Sequence, residues 1–167
     1  MQDWFGFYAL TGGAAATLLG LLFVAVSINA PLILGPGRES TRRMAEQAFQ
    51  NYSAVIVISL VALFPRITVA HFGLAVLGVT AASGAWALIR LYLTLARPDG
   101  GSRTYSLRRH LPSIAAFGML LYSAATMFIS SEDHRDLLAS AIVVLLSSAT
   151  LVAWELLVRI SEVRETN

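Results

Sequence analysis

The chain has 167 residues, of which 56% are hydrophobic and 13% charged, against about 25% charged in an average soluble domain. Cysteine and lysine are both absent, which excludes disulfides, thiolate chemistry, iron–sulfur clusters and lysine Schiff bases. The 12 basic residues are all arginine, give a formal charge of +2, and flank apolar runs, a placement that calls for no nucleic acid.

Apolar runs occupy residues 5–28, 54–64, 69–89, 111–129 and 137–158. A bilayer core about 30 Å thick takes about 20 apolar helical residues to cross, and every run but the second reaches that length. The unbroken run 18–26 excludes the alternation of a barrel strand. The predicted fold is all-α, one polytopic integral membrane bundle of five transmembrane helices with no separate soluble domain. Its helices are expected near 4–30, 40–64, 68–96, 107–130 and 132–163 of a single domain spanning 1–167.

The first helix has no basic segment ahead of it and reads as a retained span rather than a cleaved leader. Gly12, Ala16 and Gly20 recur every four residues, a spacing that lets two helix backbones approach, either within the chain or between copies. Asn29, Pro31 and Gly35-Pro36-Gly37 end this helix. Ser40 or Thr41 is the expected cap of the second helix, and Phe64-Pro65 its end.

Only the latter half of that second helix is strongly apolar. Its first half carries Arg43, Glu46, Gln47, Gln50 and Asn51, with the first four on one stripe at helical spacing. Such a stripe either lines a wet vestibule inside the bundle or belongs to an amphipathic extension lying against headgroups. The third helix, capped by Thr68, offers Gly78 and Ala82 as a second small-residue face, and Arg90 near its end. The gap after it holds Arg103, Arg108 and Arg109, candidates for anionic lipid headgroups as well as determinants of topology.

In the fourth helix Tyr122, Ser123 and Thr126 cluster near mid-depth, as packing groups or as ligands for a passing ion. The fifth begins after Ser130 or Ser131 with Glu132 and Asp133 at its positive end. Near its other end Glu155 can pair with Arg90 or, one turn on, with Arg159. His71 and His134 share the opposite face of the membrane and are weak candidates for a metal, because neither an i,i+4 pair nor an HExxH exists. No acidic residue lies at the centre of any run, which disfavours a carboxylate-driven pump. The nucleophile-elbow, phosphate-loop and dinucleotide signatures are absent too, so no enzyme and no cofactor is expected.

Arginines fix the expected threading. Arg38, Arg42 and Arg43, then Arg97, Arg103, Arg108 and Arg109, then Arg159 and Arg164 fall on one face; only Arg66 and Arg135 fall on the other. Short arginine-rich gaps stay cytoplasmic, which puts the N-terminus outside and the C-terminus inside.

The opening stretch Gly12-Gly13-Ala14-Ala15-Ala16-Thr17-Leu18-Leu19-Gly20, running on through Val26-Ser27-Ile28-Asn29, resembles the start of small uncharacterised multi-span membrane proteins of bacteria. The resemblance covers that Gly/Ala-rich first span and implies a bacterial inner membrane, with no activity or site to carry over. The functional expectation is a non-enzymatic, homo-oligomeric channel or conduit subunit for ions or small solutes. The alternative is an accessory subunit of a larger membrane complex.

Overall fold

The computed structural model describes residues 2–35, 37–65, 67–96, 103–130 and 134–165. These form six helices: α1 (Gln2–Ile28), α2 (Ala30–Leu34), α3 (Glu39–Ala62), α4 (Val69–Ala96), α5 (Arg103–Ser130) and α6 (Arg135–Glu165). Five are long and match the expected five in order; no strand occurs among the described residues. By length and composition α1, over Trp4–Ile28, and α6, over Arg135–Glu162, are apolar enough to cross a membrane, with mean hydropathies of 2.0 and 2.2. The apolar parts of α4 and α5 are shorter, Val69–Ala85 and Ser113–Ile129.

The added short helix has a local cause. Pro31 has no N–H to give the Ser27 carbonyl, so α1 stops at Ile28, yet proline is tolerated in a first turn and α2 starts at once. Asn29 joins the two, donating from Nδ2 to the Ala25 carbonyl at 2.9 Å while its own carbonyl accepts from Leu32 at 2.9 Å. The chain then reverses at Gly37, whose φ of +77° suits glycine and few other residues.

The expected cap at Ser40 or Thr41 is not used. Arg38 precedes α3 without a side-chain cap, and the Ser40 hydroxyl instead accepts from Arg159 Nη1 at 3.3 Å. Thr68 does cap α4, its Oγ1 accepting from the His71 amide at 3.3 Å. α3 closes at Leu63, just before Phe64-Pro65. At the start of α6, residues 131–133 lie outside the described residues, and Asp136 supplies the acid in the first turn.

Helix α3 is the hub, touching α1, α4 and α6, while α5 fills the space between α4 and α6. Every contact between chain-adjacent long helices is antiparallel. Gly12 of α1 meets Ser59 of α3, Gln50 of α3 reaches Ser83 of α4, and Gly73 of α4 meets Ala124 and Phe128 of α5. Ser113 and Ser123 of α5 reach Ser148 and His134 beside α6. With five long helices alternating in direction, the first residue of α1 and the last of α6 lie at opposite ends of the bundle.

The core is filled by large side chains with no exposure, among them Met44, Ile58, Leu120, Met127, Ile142 and Leu145. At the α1 start, Trp4, Phe7, Tyr8 and Phe72 pack mostly edge to face, with ring centroids 5.4 to 6.3 Å apart. The outside is as greasy as the inside. Leu10, Phe23, Ile28, Ile129, Leu151 and Trp154 are each more than three-fifths exposed, whereas Asn51, Ser59, Thr80, Ser113, Ser123 and Ser148 are buried. A water-soluble monomer rarely shows apolar patches beyond a few hundred Å², so an exterior this apolar is unlike that of such a monomer.

Candidate functional site: a groove over helix α3

Helices α1 and α4 both lean on α3 at the aromatic end, where Tyr8 and Phe72 meet edge to face at 6.2 Å. Towards the other end a groove of about 1010 Å³ lies between them, with α3 as its floor. Leu22, Phe23 and Val26 form the α1 wall; Val79, Ala82 and Ser83 form the α4 wall. The floor is a polar row, Arg42, Glu46, Gln50 and Ser53, interleaved with Phe49 and Val57. Steps of four, four and three residues at about 100° each keep that row on one face of the helix.

Arg42, Glu46 and Gln50 in the row each have a side-chain partner. Arg42 Nε donates to Glu46 Oε1 at 2.9 Å, an i,i+4 pair whose arginine side chain is 60% exposed and glutamate 31%. A pair so exposed contributes little to stability, about 0–1 kcal/mol. Gln50 Nε2 donates to the Ser83 carbonyl at 2.7 Å, tying α3 to α4 across the groove. The site thus offers one cation, one anion, an amide and a hydroxyl between apolar walls. It suits solvation of a small polar species or seating of an amphipathic one, and it presents no nucleophile beside a base.

The stripe expected from the sequence is divided by the fold. Glu46 and Gln50 line the groove, while Gln47 and Asn51 turn the other way, into the contact of α3 with α5 and α6. There Asn51 Nδ2 and Gln47 Nε2 both donate to Ser113 Oγ, at 3.0 and 3.3 Å, and Ser113 shares a 2.8 Å bond with Ser148. Arg43 pairs with Glu39 at 3.1 Å, on neither surface of the groove. A second interior link joins the Tyr52 hydroxyl to Thr150 Oγ1 at 3.1 Å. In an apolar medium such interhelical bonds average about 0.6 kcal/mol each, enough in sum to fix the register of α3.

The other expected residues are placed as follows. Glu155 pairs with Arg159 at 3.1 Å, while the side chains of Arg90, Arg103, Arg108 and Arg109 lie outside the described residues. Gly12 packs inside the chain, where an added Cβ would stand 2.8 Å from Ser59 Cβ. Gly20 and Gly78 face open space, and Ala16 and Ala82 are exposed, so those four do not serve packing within the chain. His71 is exposed and shares a 2.6 Å bond with Thr68, and no three metal-ligating side chains cluster among the described residues.

Sequence reasoning passed over Arg42 as a groove residue, Ser113 as an interior partner and Gly73 as a close-approach point. The 42–46–50 spacing was available; which of two adjacent polar faces would meet α5 was not. Compared with protein-family models, with characterised proteins and with solved structures, the chain matches none.

Proposed function

We propose that the protein is an integral membrane protein of five spans, a homo-oligomeric conduit subunit whose pathway runs between copies along the groove over α3. The reading is non-enzymatic and places the chain in a bacterial inner membrane, N-terminus outside and C-terminus cytoplasmic. The greasy exterior, the alternating helices and the arginine asymmetry support that insertion. The groove then opens towards the cytoplasmic side, at the end where α1 finishes and α3 begins.

The single observation that carries the conduit reading is a polar row placed on an outward-facing groove instead of in the core. Arg42, Glu46, Gln50 and Ser53 would be costly against lipid tails, and a second copy covering the groove lets water take their place. The middle of the single chain offers no such route, because Met44, Tyr52, Ile58, Leu120 and Ile142 fill it with at most 1% exposure. Exposed Ala16, Gly20, Gly78 and Ala82 supply low-relief surface on the two walls for close approach of that copy.

Purified protein in sealed liposomes is expected to pass small monovalent ions. Glu46→Ala frees Arg42 of its partner and is expected to move the reversal potential towards anion selectivity; Gln50→Leu is expected to cut the flux about tenfold. Sealed, oriented vesicles that pass none of a broad set of ions and small polar solutes would overturn the reading.

A second reading has its own observation. The groove walls are largely apolar, with the small Ala45, Ala54 and Ala82 among its lining, so a foreign subunit's apolar span is a second candidate to cover it. Gentle extraction decides: a fixed foreign partner in constant ratio favours the accessory subunit, and a pure oligomer of this chain favours the conduit.

A further inference from the structure

A second cavity, of about 360 Å³, lies at the other side of α3, where its first turn meets the end of α6. Leu32 and Ile160 form its apolar base; Arg38, Thr41, Arg159 and Glu162 form its polar sides. The two guanidinium groups differ in their commitments. Arg159 already holds Glu155 at 3.1 Å and reaches Ser40 Oγ at 3.3 Å, which fixes its position. Arg38, half-buried, makes no side-chain hydrogen bond or ion pair among the described residues. It also precedes a helix with no side-chain cap, so the first amides of α3 have no capping side chain beside it.

We propose that this cavity binds a phosphate group, held between the Arg38 and Arg159 guanidinium groups with the Thr41 hydroxyl as a further donor. Planar guanidinium forks match phosphate oxygens two at a time, and Arg38 is available to do so without giving up a partner. Glu162 on the rim opposes a doubly charged anion more than a singly charged one, so a phosphodiester suits the cavity better than inorganic phosphate dianion. The inference is separate from the conduit reading: it concerns another face of α3 and survives the loss of ion flux. Where the chain is inserted as described above, this end of α6 meets the inner headgroup layer, and a lipid phosphodiester is the nearest source.

The full-length protein in detergent, titrated with phosphatidylglycerol, with phosphate-free diacylglycerol, and separately with inorganic phosphate, tests this by native mass spectrometry and thermal shift. Phosphatidylglycerol is expected to remain bound and diacylglycerol to wash off. Arg38→Gln is expected to weaken the retained adduct at least fivefold, Arg38→Lys about twofold because the charge stays and the fork is lost. Arg135→Gln, at the opposite end of α6, is expected to leave it unchanged. Arg38-dependent stabilisation by inorganic phosphate without a lipid adduct assigns the same grip to a free phosphate. Binding of both phosphate-bearing probes that ignores Arg38, or no binding of either, overturns the proposal.

Discussion

Two glycines show how much of the packing rests on single side chains. At Gly73 an added Cβ would stand 2.9 Å from the Ala124 carbonyl oxygen and 2.9 Å from the Phe128 nitrogen, both backbone atoms that cannot step aside. At Gly12 the obstacle is the Ser59 side chain, 2.8 Å away, which can shift with its helix. Overpacking of a tight contact costs about 1–3 kcal/mol, and the fixed neighbour belongs at the upper end. Gly73→Ala is therefore expected to lower the melting temperature by about 6–10 °C in detergent, Gly12→Ala by less, and Gly118→Ala, which meets nothing within 4 Å, not at all. Equal losses at Gly73 and Gly118, read by thermal unfolding, would show that α4 and α5 do not touch there.

At the scale of the helix, α3 carries two polar faces that serve different ends. Arg42, Glu46, Gln50 and Ser53 look into the groove, and Gln47 and Asn51 bond to Ser113 within the bundle. Because the chain has no native cysteine, single cysteines report each face cleanly. Ser53→Cys and Gln50→Cys are expected to react quickly with a water-soluble thiol reagent, and Asn51→Cys at least tenfold more slowly. Similar rates at positions 50 and 51 would contradict a wet groove beside a closed interior.

The same helix marks what was legible. Its existence and both limits followed from Asn29-to-Gly37 punctuation and from Phe64-Pro65, since proline and glycine act locally. Its polar character was equally plain. Gln47 and Gln50, however, are three residues and about 60° apart, and a sequence period cannot say which side of that angle meets another helix. The Gly12 spacing was read, yet Gly73, with no small partner four residues away, gave no periodic signal although its contact is the tighter. Long-range partners such as Ser113 with Asn51, or Arg159 with Ser40, are set by how helices lean, which no local pattern encodes.

At the scale of the whole molecule, several small polar side chains are buried between helices while many large apolar ones face outward. Buried Asn51, Ser113, Ser123 and Ser148 bond to neighbouring helices or loops, while Phe5, Leu21, Phe23, Leu151 and Trp154 stand exposed along α1 and α6. A bilayer removes the cost of those exposed faces and leaves van der Waals fit and interhelical bonds to hold the bundle. On the proposed insertion, the five alternating long helices would put the two ends of the bundle in different compartments, with Arg38, Arg42, Arg43 and Arg159 together at one of them.

That placement is open to one direct measurement. Single cysteines at Gln2→Cys and Ser161→Cys, in the cysteine-free background, are labelled in intact cells with a membrane-impermeant maleimide before and after permeabilisation. Labelling of position 2 from outside, and of position 161 only once the membrane is opened, is the predicted result. Both positions labelled from one side, or both freely labelled in a soluble fraction, would contradict a bundle that crosses the membrane five times.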